Sequence, residues 1–404
     1  MTRVTVLIAA RDEADRIAGT VELLRESIAG AEIVVADDGS RDSTADVAET
    51  AGARVIRLPA RGKGQALTMA ERELPPGPLL LCDADLRGDL RPLLEAGADL
   101  AIAAFRTRRG GGFGLVKRIA ARVIAARGGF EATEPLSGQR HLSARAREVV
   151  FPVANGFGVE TRMTIDACRA GLEVTEVLLD LDHRATGRDL RGFAHRGRQL
   201  HDLLLAGLPQ AVNHRGLRLP LVGTVIGTVD PAVLPVALVG LADDLWAGPE
   251  RGFRAHLQAG ATTGTLKLVA IPLYGLIRTR SITGALAVGL AANVVNQLDT
   301  RPGRALKAFA LASLVVGSRK RALAAAVLIA PYDLREMGML GDGGSNALGA
   351  VLGLSSVERT RGFARIGLVG ALAALTVYGD RRSFGDLIER TPFLSALDRL
   401  GRRR

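Results

Sequence analysis

The sequence divides into an α/β front half and an all-α back half, and three features of the chain predict the division. Through the first two hundred residues, short runs of β-branched and leucine side chains alternate with stretches of helical spacing, the beat of a doubly wound sheet. Three of those runs end in carboxylates, at Asp12-Glu13, Asp37-Asp38 and Asp83-Ala84-Asp85. From Leu219 onwards alanine, leucine, valine and glycine dominate, in runs separated by basic knots, which predicts a multi-helix membrane domain. The expected boundaries are 1–207 for the front domain, 208–380 for the helical domain and 381–404 for a basic C-terminal tail.

A chain of 404 residues has room for two domains, each able to bury a core. Its formal charge of +11 suits phosphorylated substrates, anionic lipid or nucleic acid. Aromatic residues make up only 4%, too few rings to stack single-stranded bases, so nucleic acid is not an expected partner. Cys82 and Cys168 each sit in an apolar setting and read as core thiols rather than a disulfide. Met1-Thr2-Arg3 leads straight into an apolar strand and then charges, with no signal-peptide pattern, so the front half is expected in the cytosol.

Residues 3–10 predict the first strand, ending at Arg11-Asp12-Glu13, and Asp15 to Ile28 carry apolar residues at helical spacing. Ile33-Val34-Val35-Ala36 repeats the strand. Asp38-Gly39-Ser40-Arg41-Asp42-Ser43 then supplies a glycine turn and a capping group for a helix from Thr44. Arg61-Gly62-Lys63-Gly64 places a cation between glycines at a helix start, where unpaired amides and the helix dipole favour an anion. A solvated surface lysine is the alternative reading. Leu79-Leu80-Leu81-Cys82 reads as a buried strand of a parallel sheet, whose carboxyl end, where ligands bind, carries Asp83 and Asp85. Carboxylates this close repel one another unless a cation neutralises them, and a hard divalent ion with open positions for phosphate oxygens is the usual solution. Surface acids share the same spacing, so the pair takes its meaning from the motifs around it.

Further on, Arg106 to Gly112 reads as a mobile loop of the kind that closes over a substrate. Arg188 to Leu205 is basic and amphipathic, a helix that packs on its own domain or lies on an anionic bilayer.

In this order the motifs resemble the GT-A (Rossmann-like) glycosyltransferases, above all the family 2 group with its polyprenyl-phosphate sugar synthases, over roughly residues 3–205. The resemblance implies a nucleotide-sugar pocket lined by Ala9, Arg11 and Glu13, with Asp37 or Asp38 at the base and Lys63 at the diphosphate. It also implies Mg²⁺ or Mn²⁺ at Asp83 and Asp85, with Asp85 catalytic. Pro135-Leu136-Ser137-Gly138-Gln139-Arg140, Gly156-Phe157-Gly158-Val159-Glu160 and Leu181-Asp182-His183-Arg184 resemble segments of glucosyl-3-phosphoglycerate synthases, a neighbouring GT-A family. Carried over, they make Glu160 an acceptor-side acid and His183 a third metal ligand. The two resembling families differ in stereochemical outcome, which leaves retention or inversion open.

In the back half, apolar runs fall at 219–242, 266–277, 281–298, 305–317, 322–331 and 363–379. Several are shorter than the ~20 residues of a spanning helix. Ser281 to Leu298, however, carries no charge and so lacks the polar face an outer helix of a soluble bundle needs. Acids in such a composition are costly and usually functional. Asp243-Asp244, the segment Asn293-Val294-Val295-Asn296-Gln297-Leu298-Asp299, and Gly341-Asp342-Gly343-Gly344 resemble the motifs of polyprenyl-phosphate N-acetylhexosamine-1-phosphate transferases, over about residues 210–355. That resemblance implies a catalytic metal site at Asp243, Asp244 and Asp342, with Lys267, Asn293, Asn296 and Asp299 on substrate. Asn213-His214-Arg215-Gly216 is similar to the early cytosolic loop of those enzymes. The chain departs from the pattern at Thr300-Arg301-Pro302-Gly303, where a proline replaces a second acid, and it has no His-rich loop between Leu352 and Arg404.

Together the resemblances imply a metal-dependent, membrane-associated glycosyltransferase at the cytoplasmic (inner) membrane, its front domain facing the cytosol. The donor would be a nucleotide-sugar and the acceptor a polyprenyl phosphate or lipid-linked glycan precursor of the cell envelope. The back half would be either an active phosphoglycosyl transferase that releases UMP, making the chain bifunctional, or a non-catalytic membrane docking module.

Overall fold

The computed structural model describes residues 4–105, 114–181, 201–213, 215–246 and 263–402. The chain forms two compact units, Met1–Gly207 with Arg215–Arg218, and Leu208–His214 with Leu219–Arg404.

The first unit is built on a seven-stranded sheet: β1 (Thr5–Ala10), β2 (Glu32–Asp37), β3 (Arg54–Arg57), β4 (Leu79–Asp83), β5 (Leu100–Phe105), β6 (Arg140–Leu142) and β7 (Val174–Leu179), in the order β3-β2-β1-β4-β6-β5-β7. Strand β1 pairs in parallel with β2 and β4, and β5 in parallel with β7. The parallel sheet expected around Leu79 is in fact mixed, because β6 runs antiparallel between β4 and β5. The register of that return strand sets Arg140 against Leu81, which carries Gly138 and Gln139 to the end of β4.

Strand side chains alternate between faces, and β1 shows the consequence. Val6 and Ile8 join Val21 and Leu24 of α1 (Ile17–Ser27) in one core, while Leu7 joins Leu67 and Ala70 of α3 (Lys63–Glu71) in another. The helix from Thr44, α2 (Thr44–Thr50), is entered through a turn in which the Asp42 carboxylate accepts the Thr44 amide at 3.0 Å. Helices α4 (Arg91–Glu95), α5 (Leu115–Gly128), α6 (Ala144–Val150) and α7 (Val159–Arg169) complete this unit. Strand order reverses at β1, with β2 to one side and β4 to the other, which opens a crevice beyond their carboxyl ends. Cys82 is a buried free thiol and Cys168 a partly buried one, and burial pushes both thiols up. The loop 106–112 and most of the amphipathic segment 188–205 lie outside the described residues.

The second unit is helical: α8 (Thr224–Val229), α9 (Leu234–Trp246), α10 (Thr263–Thr279), α11 (Ile282–Leu298), α12 (Arg304–Val316), α13 (Lys320–Leu334), α14 (Gly341–Arg359) and α15 (Gly362–Arg381). The apolar run 219–242 is not one continuous helix. It breaks at Asp230-Pro231, where Asp230 accepts the Ala232 amide and pairs with Arg319 at 3.0 Å. Helix α14 falls in none of the apolar runs, because glycine and serine dilute its hydropathy. It is nevertheless the centre of the bundle, with every residue from Gly343 to Val357 buried. The glycines explain the position: a Cβ at Gly349 would lie 2.4 Å from the Ala292 Cα, and one at Gly353 2.7 Å from the Val288 Cα. Backbones this close are possible only where side chains are absent, the packing mode common between helices in lipid.

Among the described residues one helix is long and apolar enough to cross a membrane, α15, with 20 residues, a mean hydropathy of 1.5 and none of that window buried. α11 is apolar but only 17 residues long. The segment read as a basic tail folds into α16 (Phe384–Arg390) and α17 (Pro392–Arg399). Asp398 fixes it to the bundle by accepting from the buried Arg304 guanidinium at 3.0 and 3.2 Å.

Candidate active site

The crevice of the first unit collects the carboxyl ends of β1, β2 and β4. In register, Ala9 faces Asp83 across the β1–β4 pair and Ala10 faces Asp37 across the β1–β2 pair, so one rim carries Ala9, Arg11, Asp37, Asp38, Asp83 and, just beyond β4, the exposed Asp85. Each position serves a different purpose. Asp37 accepts the amide and hydroxyl of Ser40, tightening the turn after β2. Asp38, 4% exposed, accepts the amides of Arg61 at 2.6 Å and of Gly62 at 3.0 and 2.9 Å, and lies 3.5 Å from the Arg11 guanidinium. It thereby ties the β2 turn to the glycine loop. Gly62 has φ 100°, a conformation favourable to glycine, and directly precedes α3. Glu13 pairs with Arg16, and its amide donates to Thr44 Oγ1 at 2.8 Å.

Lys63, the first residue of α3, reaches into the crevice. Its ammonium lies 2.7 Å from Asp83 Oδ1 and 2.7 Å from Glu160 Oε1. Burial disfavours the ammonium, but the two carboxylates outweigh it and hold the Lys63 pKa above the ordinary lysine value. Glu160, at the start of α7, is 6% exposed. Lys63 therefore joins the metal-motif strand to the expected acceptor-side acid.

Two residues on the other side of Asp83 do work that no sequence motif assigned to them. Gln139 Nε2 donates to Asp83 Oδ2 at 3.2 Å, and a Cβ at Gly138 would lie 2.3 and 2.4 Å from the two carboxylate oxygens. The antiparallel register of β6 brings them there, and an antiparallel insertion is what an unbroken αβ alternation conceals. Arg140, fully buried, anchors the same loop by donating to Ser137 O at 2.7 Å, Pro135 O at 3.3 Å and Thr164 Oγ1 at 2.8 Å. Thr164 in turn donates to the Glu160 carbonyl at 3.0 Å, so Arg140 ties the Asp83 loop to the helix that carries Glu160.

Asp83 and Asp85 offer hard oxygen donors at a solvent-reached rim, Asp83 being 35% exposed, and that donor chemistry fits Mg²⁺ or Mn²⁺ with positions left for phosphate oxygens. His183 lies outside the described residues. Among the described residues, no group of three His, Cys, Asp or Glu side chains stands ready to hold a metal.

The second unit brings its own motif residues together. Asp244 of α9 accepts the amides of Asp342 and Gly343, each at 2.9 Å, and so caps the N-terminus of α14 from a neighbouring helix. Lys267 of α10 pairs with both Asp243 and Asp342. Asn296 accepts from the Ser345 hydroxyl at 2.8 Å. Asn293 sits one turn earlier on α11, and Asp299 follows its last turn. Asp333, unremarked in the sequence, is 3% exposed and accepts the amides of Gly303 at 2.6 Å and Leu340 at 3.1 Å, pinning the two loops that flank this cluster. Lys267 occupies the place between Asp243 and Asp342, and Asp244 is committed to the helix cap.

Residues 5–136 match the family described as Glycosyl transferase family 2. Among curated proteins, the chain is 29% identical over 198 residues to Glycosyltransferase AglJ of Haloferax volcanii, covering 46% of this chain and 65% of that one. It is 35% identical over 82 residues to Protein RfbJ of Shigella flexneri, covering 20% and 64%. The chain thus spans somewhat less than two thirds of the length of either relative. Among solved structures, glucosyl-3-phosphoglycerate synthase from Mycobacterium tuberculosis, in complex with Mn²⁺, UDP and glucosyl-3-phosphoglycerate, aligns at 28% identity with a TM-score of 0.42, covering 51% of this chain and 79% of that one. The front half carries a glycosyltransferase family 2 domain, with a mixed α/β sheet, followed by a helical region.

Proposed function

We propose that the chain is a membrane-associated glycosyltransferase that moves a sugar from a nucleotide-sugar to a polyprenyl phosphate or other lipid-linked acceptor. The observation that supports the donor site is the common rim of β1, β2 and β4, with Asp83 in register with Ala9 and gripped by Lys63, inside a family 2 domain. A divalent ion held by Asp83 and Asp85, when bound, neutralises charge on the departing nucleoside diphosphate. The protein's own residues supply the rest. The glycine loop anchored by Asp38 presents amides and Lys63 to the pyrophosphate at the start of α3. Gln139 and Gly138 keep the Asp83 carboxylate from turning away. Glu160 stands on the far side of Lys63, placed to take the acceptor's proton if the reaction inverts.

Membrane association draws its support from the surface of the second unit. Phe363 is 92% exposed, Leu314 83%, Val315 80% and Ile282 75%, bare apolar side chains on three helices that lipid would cover. The cytoplasmic membrane, with the front domain in the cytosol, is the location this reading requires.

The test is a product assay with a panel of UDP- and GDP-sugars and polyprenyl phosphate, in which nucleoside diphosphate is released and Asp85→Ala abolishes turnover without changing the melting temperature. Full turnover by that variant would overturn the donor site. The convergence of Asp243, Lys267 and Asp342 favours a second reading, in which the back half transfers a sugar phosphate and releases UMP. UMP that disappears in Asp342→Asn would establish it. Diphosphate release with no UMP from any donor would leave the back half a docking module.

A further inference from the structure

We infer that Lys63 is a displaceable counter-ion: it clamps Asp83 to Glu160 while the donor site is empty, yields Asp83 to a divalent ion, and then serves the incoming donor's pyrophosphate without leaving Glu160. The inference rests on the donor-site reading above and adds an order of events to it.

The geometry around Asp83 is the argument. Its Oδ2 is held by Gln139 at 3.2 Å, and the Gly138 backbone packs so closely that a single added carbon would fall 2.3 and 2.4 Å from its oxygens. Lys63 holds Oδ1 at 2.7 Å. With one edge bonded and one face walled, a cation approaching Asp83 meets the Lys63 ammonium and must compete with it. The two carboxylates that share this ammonium are not equivalent. The Asp83 side chain is 35% exposed, whereas that of Glu160 is 8% exposed. Stripping the partner from a buried carboxylate costs far more than stripping it from one that water reaches. A doubly charged ion therefore takes Asp83 from the lysine, and Glu160 keeps it. Lys63 opens α3 between Gly62 and Gly64, a helix start whose free amides favour a phosphate, so the residue that releases Asp83 belongs to the element that would receive the pyrophosphate. Donor arrival is thereby felt at Glu160, on the acceptor side, through one side chain.

The experiment uses the intact wild-type chain, MnCl₂ and UDP, with acetic anhydride labelling of lysines read by mass spectrometry. Mn²⁺ alone should raise acetylation of Lys63 roughly threefold to fivefold, the scale of a half-exposed ion pair, and adding UDP should bring it back down. In Lys63→Met, Mn²⁺ alone should bind more tightly, roughly fivefold by the same measure, while UDP binds more weakly in the presence of Mn²⁺. Lys63→Arg should restore the wild-type order. A lysine that merely stabilised the fold would weaken both. Bound Mn²⁺ with unchanged Lys63 labelling, or weaker Mn²⁺ binding by Lys63→Met, overturns the counter-ion role and leaves the donor site standing. If neither Mn²⁺ nor UDP binds the wild-type chain, the donor-site reading falls and takes this one with it.

Discussion

Asp38 accepts the amide of Gly62 through both of its carboxylate oxygens, at 3.0 and 2.9 Å, and the amide of Arg61 at 2.6 Å. A side chain at the end of β2 thus shapes the loop that delivers Lys63. Asp38→Ala leaves those amides without their acceptor and should lower unfolding stability by about 2–3 kcal/mol, the range for lost bonds to a charged group. The same change should raise the donor KM. Urea unfolding and steady-state kinetics check both, and Asp38→Asn, which keeps one acceptor oxygen, should fall between.

Gly138→Ala tests the wall behind Asp83. Its methyl group would meet both carboxylate oxygens well inside contact distance, and the neighbouring strand pairing of β4 with β6 leaves little room to yield. Mn²⁺ affinity should drop on the order of tenfold, a shift of about 1.4 kcal/mol. Calorimetric titration reads it directly. Unaltered affinity would mean that the loop moves aside.

Asp99 gives a pH prediction remote from the crevice. It accepts the Ser143 hydroxyl at 2.8 Å and the Glu173 amide at 3.2 Å, joining the start of β5 to the cap of α6 and the turn before β7. The Ser143 bond, then the Glu173 amide, hold its pKa below the usual carboxylate value. A carboxylate lowered in the folded state contributes stability above its unfolded pKa and loses it as pH falls through the folded one. Asp99→Asn should therefore unfold with a flatter acid limb below about pH 4, as followed by circular dichroism. An acid limb as steep as wild type would refute this.

Gly349→Val addresses the helical unit. A Cβ alone at this position would lie 2.4 Å from the Ala292 Cα and 2.5 Å from the Ala291 carbonyl oxygen, so α14 and α11 would have to separate. Overpacking of this kind costs about 1–3 kcal/mol or more. The purified variant should lose thermal stability and become protease-sensitive, whereas Gly367→Val on α15, where nothing lies within 4 Å, should not.

Much of this was legible from residue order, and the exceptions have physical causes. The strands ending at Asp37 and Asp83 announce themselves because β-branched and leucine runs stop at acids. The role of Gln139 does not, because it depends on β6 running backwards between parallel neighbours, a pairing of residues nearly sixty positions apart. α14 escaped hydropathy for the opposite reason: the glycines that let it sit at the centre are those that make it look like a loop. Asp333 gave no signal because it follows the apolar run 322–331 as a lone acid, and nothing in the residue order says which amides it will meet. The chemistry-bearing acids were visible, but their division of labour, one gripping an ammonium and another capping a helix, is a matter of three-dimensional neighbours.

The first compact unit does not stop where its last long stretch ends, because Arg215–Arg218 return to it. Arg72 donates to the carbonyls of Arg215 at 3.1 Å and Gly216 at 2.6 Å, and Arg218 pairs with Asp166 on α7. Anyone producing the catalytic half in isolation should therefore place the stop codon after residue 218. A shorter fragment would forfeit a clasp on the very helix that begins at Val159 and Glu160, and its poor behaviour would be mistaken for dependence on the helical unit.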